Sequence, residues 1–130
     1  MVFLQIAVVA IVIMITVAFS GNVVRRAIAY CIPPDPGKAP APGDADRNRI
    51  GGLVGKLENI LVVLFVASGA ITALAIVITA KSIARKKEIE EDPGYYLVGS
   101  MSNFTFSILM GFLARALMAM LLGQPIFNFE

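Results

Sequence analysis

The chain has 130 residues, 58% of them hydrophobic and only 15% charged, with a formal net charge of +2 and a mean hydropathy of +0.81. Globular domains average about 45–50% apolar and about 25% charged residues, so the composition points to a membrane protein and away from a soluble enzyme, a disordered tail or a disulfide scaffold. Histidine is absent and Cys31 is the only cysteine, which excludes histidine-ligated metal, a histidine-dependent triad and an intrachain disulfide.

A hydrocarbon core of about 30 Å takes roughly 20 apolar residues in a helix, and three stretches meet that length. The first, residues 2–19, is uncharged, with Gln5 and Thr16 its strongly polar members. It is read as a retained helix over about 2–20 rather than as a signal peptide. No basic segment precedes it, its apolar run is too long, and Arg25 and Arg26 follow as a stop-transfer flank. Next comes a loop over 31–46 that holds Pro33, Pro34, Pro36, Pro40 and Pro42 with Gly37 and Gly43. Proline removes backbone donors and restricts the residue before it, so this segment is an extended aqueous spacer.

Residues 49–58 carry Gly51 and Gly55 four apart, and Gly55 and Asn59 likewise. In a helix that spacing admits another helix closely. The segment lacks the GK[ST] ending and preceding strand of a phosphate loop, so no nucleotide site is expected. The second span is uncharged over 60–80 and is expected as one helix over about 57–80. Its charged extension, 81–92, is expected to stay helical until Pro93-Gly94. Lys81, Arg85, Lys86 and Lys87 form a basic cluster at the membrane surface. Lys86 with Glu90 and Lys87 with Glu91 are spaced to pair across a solvated face. The third span is expected over about 95–122, with an uncharged stretch at 95–114 ahead of Arg115.

The expected fold class is an all-α integral membrane protein of three transmembrane helices forming one domain, the second and third an antiparallel hairpin. Lys and Arg number six in the first loop and four in the second, with Arg115 adding to the first-loop side. The positive-inside rule then gives N-out, C-in for a multi-pass cell-membrane protein. Phe3, Tyr95, Tyr96, Phe127 and Phe129 read as interfacial aromatics.

Within a bilayer, helices associate through small residues and interhelical hydrogen bonds. At 100° per residue, Ser100, Asn103, Ser107, Gly111, Ala114 and Arg115 share one face of the third span, with Gly99 among its small residues. Ser68, Thr72, Ala75 and Thr79 share a face of the second. These two faces are expected to pack together, or to line a pore in an oligomer. An ionised side chain within the bilayer is costly, and in an antiparallel hairpin Glu58 and Arg115 reach the same interface. A Glu58–Arg115 ion pair is therefore expected.

Three blocks, the glycine-rich Gly51 to Glu58 segment, Ala80-Lys-Ser-Ile-Ala-Arg85 and Tyr95-Tyr96-Leu-Val-Gly-Ser100, resemble in order and spacing the C-terminal membrane region of the domain-of-unknown-function 3307 family. They cover about half of the chain. The resemblance implies a membrane location and a shared helix hairpin, and groups Glu58, Lys81, Arg85, Tyr96 and Gly99 in one recurring design. The chain departs from that pattern at Asn59, where the family has arginine, and at Ser68-Gly69, in place of a glutamine. The longer N-terminal membrane part of larger members is replaced by a single helix. The family has no established activity, so it implies no mechanism.

The function expected from these residues is a structural, assembly or accessory subunit acting through helix contacts, as a homo-oligomer or in a larger membrane complex. Neither catalytic residues, cofactor, metal nor nucleic-acid partner is expected. The alternative is an oligomeric pore or small-solute or ion channel, including a holin-like pore.

Overall fold

The computed structural model describes residues 1–37, 39 and 42–123; the expected belt residues Phe127 and Phe129 lie outside them. Among the described residues all regular structure is helical, in the order α1 (Val2–Cys31), α2 (Asp44–Ser68), α3 (Ile71–Ala84), α4 (Lys86–Glu91) and α5 (Pro93–Leu122). Helices α1, α2 and α5 are each long and apolar enough to cross a membrane, whereas α3 is apolar but short.

α1 continues unbroken past its apolar run, through Arg25 and Arg26, to Cys31. Its buried residues, Val8, Val12, Thr16 and Ser20, recur every fourth position. This is the ridge that packs into a neighbouring helix's groove. Thr16 is fully enclosed and satisfies its hydroxyl by donating to the Val12 carbonyl at 2.7 Å. The connection to α2 is shorter than the expected loop, because α2 begins at Asp44, behind Gly43 in the left-handed region (φ 93°).

The largest correction concerns the second apolar run. It is not one helix over 57–80. α2 ends at Ser68, Gly69 takes up φ 81°, and α3 starts at Ile71 and turns back. Glycine adopts this left-handed geometry without the Cβ clash other residues meet, and so ends helices. The helical extension is also interrupted, with Arg85 between α3 and the six-residue α4. Pro93 does not merely stop a helix but opens α5. Its missing N–H is of no consequence in a first turn, and the Asp92 carboxylate accepts from the Tyr95 amide at 3.1 Å.

Because α3 brings the chain back along α2 as far as Gly51, where Arg85 lies, α5 starts toward the end where α2 began and runs parallel to α2. The register makes this explicit: Asn103 meets Gly55, Ser107 meets Asn59, and Arg115 meets Val66. The expected antiparallel hairpin of second and third spans is therefore replaced by two relations. α2 and α3 are antiparallel, while α2 and α5 are parallel. α1 is antiparallel to α5, with Val24 and Ile28 near Gly99 and Val12 packed with Ala114. The start of α1, the α2–α3 turn and the end of α5 consequently share one end of the bundle, here called the tip end. Cys31, Asp44, α4 and Pro93 share the other, the base.

Two apolar clusters hold the helices together. Val12, Val63 and Ala114 join α1, α2 and α5, and Val62, Val66, Leu74 and Phe104 join α2, α3 and α5.

Candidate functional site

The α2 face toward α5 begins before the apolar run, on the four-residue spacing of Gly51, Gly55 and Asn59. At Gly51 a Cβ would lie 3.8 Å from the Arg85 guanidinium, and at Gly55 it would lie 3.9 Å from the Asn103 amide. Asn103 Nδ2 donates a long hydrogen bond to the Gly55 carbonyl at 3.5 Å. One turn on, Ser107 Oγ donates to Asn59 Oδ1 at 2.6 Å, and both residues are enclosed. Asn59 Nδ2 has no hydrogen-bond partner among the described residues. Further along, α2 and α5 are in close contact at Gly111. A Cβ there would stand 2.6 Å from Val66 Cβ, inside contact distance.

Of the expected α5 face, Ser100, Asn103, Ser107, Gly111 and Ala114 are all buried. Gly99 packs instead toward α1, 3.6 Å from Ile28 Cδ1 if a Cβ is built. The expected second-span face does not form. Ser68, Thr72 and Thr79 are exposed, because Gly69 divides the helix on which their angular spacing was counted. Ser68 Oγ donates to the Phe65 carbonyl at 3.2 Å, and Thr79 Oγ1 to the Ala75 carbonyl at 2.7 Å. Such local bonds are the usual recourse of hydroxyls without a neighbouring helix.

The expected Glu58–Arg115 pair is also replaced. Glu58 Oε2 accepts from Lys81 Nζ at 2.5 Å, with both side chains about nine-tenths buried. The same ammonium stands 4.9 Å from the centre of the Phe104 ring, a cation–π contact that ties α5 to the base of the hairpin. Arg115 lies two turns farther along, where its Nη1 donates to the Val66 carbonyl at 3.4 Å and lies 3.0 Å from a Cβ built at Gly69. The last carbonyls of a helix lack intrahelical partners and carry the negative end of its dipole. Ser68 and Arg115 supply donors, and Arg115 the opposite charge, where α2 ends. The parallel course of α2 and α5 is what carries Arg115 away from Glu58.

The basic cluster divides in two. Lys81 is buried in its ion pair, whereas Lys86–Glu90 and Lys87–Glu91 are exposed pairs at 3.8 Å, a class of contact of little energetic weight. Among the described residues no group of three or more Cys, Asp or Glu comes together to hold a metal.

Sequence reasoning missed the α1 stripe of Val8, Val12, Thr16 and Ser20, although its four-residue spacing was there to be counted. It also missed Lys81 as the partner of Glu58. The need to neutralise two charges flanking one apolar run was the available signal.

Comparison of the chain with protein-family models, with curated proteins and with solved structures gives no match.

Proposed function

We propose that the chain is a small integral membrane protein with a structural or accessory role in assembly, acting through helix contacts and without catalysis, as a homo-oligomer or within a larger complex. The observation that carries this reading is the fate of the small polar face of α5. Asn103, Ser107 and Gly111 are spent on α2 within one chain, and Ser100 on the same face is buried. The outward surface is apolar instead, including Ile6, Met14, Ile76 and Leu109. An apolar exterior of that extent suits lipid and neighbouring helices. The same enclosure of polar groups disfavours the pore alternative, whose lining they would have supplied.

The orientation we infer differs from N-out, C-in. Arg25, Arg26, Arg47, Arg49, Lys56, Lys81, Arg85, Lys86 and Lys87 all fall toward the base, and among the described residues Arg115 is the basic side chain toward the tip end. The positive-inside rule then makes the base cytoplasmic, with the start of α1 and the end of α5 both on the opposite face. From Glu58 to Ser68 is about 15 Å of helix, half of a hydrocarbon core of about 30 Å. α5 runs on for about 10 Å beyond Arg115. The α2–α3 pair is thus a re-entrant hairpin, closed at the cytoplasmic interface by Glu58–Lys81.

Reconstitution tests the functional reading. Liposomes containing the protein are expected to hold ions and dye, while cross-linking in detergent recovers an oligomer or a bound partner. Flux that Asn103→Leu abolishes would establish a pore instead.

A further inference from the structure

An open groove of about 570 Å³, lined by residues of α1 and α2 alone, runs between those two helices. Its apolar part includes Ile13, Val17 and Ile60, its middle includes Gly21, and its mouth toward the base carries Arg25 and Lys56. The lining contains two cations and no carboxylate. Arg25 is already fixed there, its Nε donating to the Gly21 carbonyl at 3.2 Å and its Nη2 to Asn22 Oδ1 at 2.7 Å. Neither Arg25 nor Lys56 forms an ion pair among the described residues.

We propose that this groove binds one anionic phospholipid of the cytoplasmic leaflet, its headgroup phosphate held by Arg25 and Lys56 and one acyl chain laid along Ile13, Val17 and Ile60. Three features commit the site to that ligand. From Arg25 to Ile13 is about 18 Å of helix, close to the thickness of one leaflet of a hydrocarbon core of about 30 Å. The two cations stand at one end of the groove only, as a headgroup above a chain requires. That end is the base, which the topology proposed above puts beside the anionic cytoplasmic leaflet. The inference rests on the membrane reading but not on the assembly role.

Native mass spectrometry of the purified protein in nonionic detergent, titrated with phosphatidylglycerol or phosphatidylcholine, tests it. Phosphatidylglycerol is expected to bind more tightly, and glycerol phosphate without acyl chains not to bind. Arg25→Gln and Lys56→Gln, both at exposed positions, should each weaken phosphatidylglycerol about fivefold and weaken phosphatidylcholine, whose choline offsets the charge of its phosphate, by less, so that the preference narrows. Gly21→Leu should weaken both lipids, since a Cβ at Gly21 meets nothing within 4 Å and the added side chain enters the groove without disturbing the core. Equal binding of the two lipids, an undiminished preference in the Arg25→Gln/Lys56→Gln protein, or a Gly21→Leu protein altered in oligomer size rather than in lipid binding would overturn the proposal. Equal binding of the two lipids by an unsubstituted protein that still requires detergent defeats the groove alone. A protein monodisperse without detergent defeats the membrane reading with it.

Discussion

Lys81 and Glu58 stand 23 positions apart in the chain and 2.5 Å apart in space. In one continuous helix they would be about 35 Å apart, so their contact defines the hairpin as directly as the turn at Gly69 does. Removing one member of a buried pair leaves the other charge without compensation, at a cost of about 3–5 kcal/mol, whereas replacing both with apolar residues is often close to neutral. Lys81→Met is therefore expected to destabilise the purified protein by about 3 kcal/mol, and Glu58→Met together with Lys81→Met to recover most of it. Unfolding in mixed micelles measures both. Equal losses for single and double variants would show that the pair contributes nothing.

Gly69 offers a test by sign. In the middle of an ordinary helix, glycine to alanine stabilises by roughly 0.5–1 kcal/mol. At φ 81°, with a new Cβ 3.0 Å from Arg115 Nη1, the change must instead strain the backbone by about 1–2 kcal/mol and displace the guanidinium. Gly69→Ala is expected to lower stability in the same unfolding assay. A gain would mean an uninterrupted span.

The approach of α2 to α5 leaves no room at Gly111. Gly111→Ala puts a Cβ 2.6 Å from Val66 Cβ, and overpacking of this kind costs about 1–3 kcal/mol. Val66→Ala keeps the offending Cβ and should not rescue the variant, while Val66→Gly should restore the helix separation. Cross-linking yield between cysteines introduced on α2 and α5 reports that separation.

The Ser107–Asn59 hydrogen bond should be worth less than its burial suggests. Hydrogen bonds between membrane helices average about 0.6 kcal/mol, with a maximum near 1.7, because the unfolded chain also finds partners. A double-mutant cycle on Ser107→Ala and Asn59→Ala is expected to give a coupling within that range. A coupling indistinguishable from zero would remove the polar seam as a specificity device.

The helical class and the apolar segments were legible in the sequence because length and the absence of charge depend on nothing outside each segment. The α5 face was legible for the same reason, since 100° steps along an uninterrupted helix place Ser100, Asn103, Ser107 and Gly111 together. The failures in the second and third spans share one cause. Ser68-Gly69-Ala70 carries neither charge nor proline, and glycine is common inside membrane helices, so nothing local distinguished a turn from a continuing helix. Once that turn was overlooked, the direction of α5, the partner of Glu58 and the position of Arg115 all followed wrongly. Asn59 belonged to a spacing already visible at Gly51 and Gly55, but its partner Ser107 could be found only with the parallel register in hand.

The sidedness of two loops tests this architecture most directly. Cys31 is exposed at the base, and Lys87, in the exposed α4, is expected on the same face. Membrane-impermeant maleimide is applied to right-side-out and inverted vesicles, once with native Cys31 and once with Lys87→Cys in a Cys31→Ser background. Both cysteines should be labelled only in inverted vesicles. Labelling of the two from opposite sides would mean that residues 60–80 cross the bilayer as one straight helix.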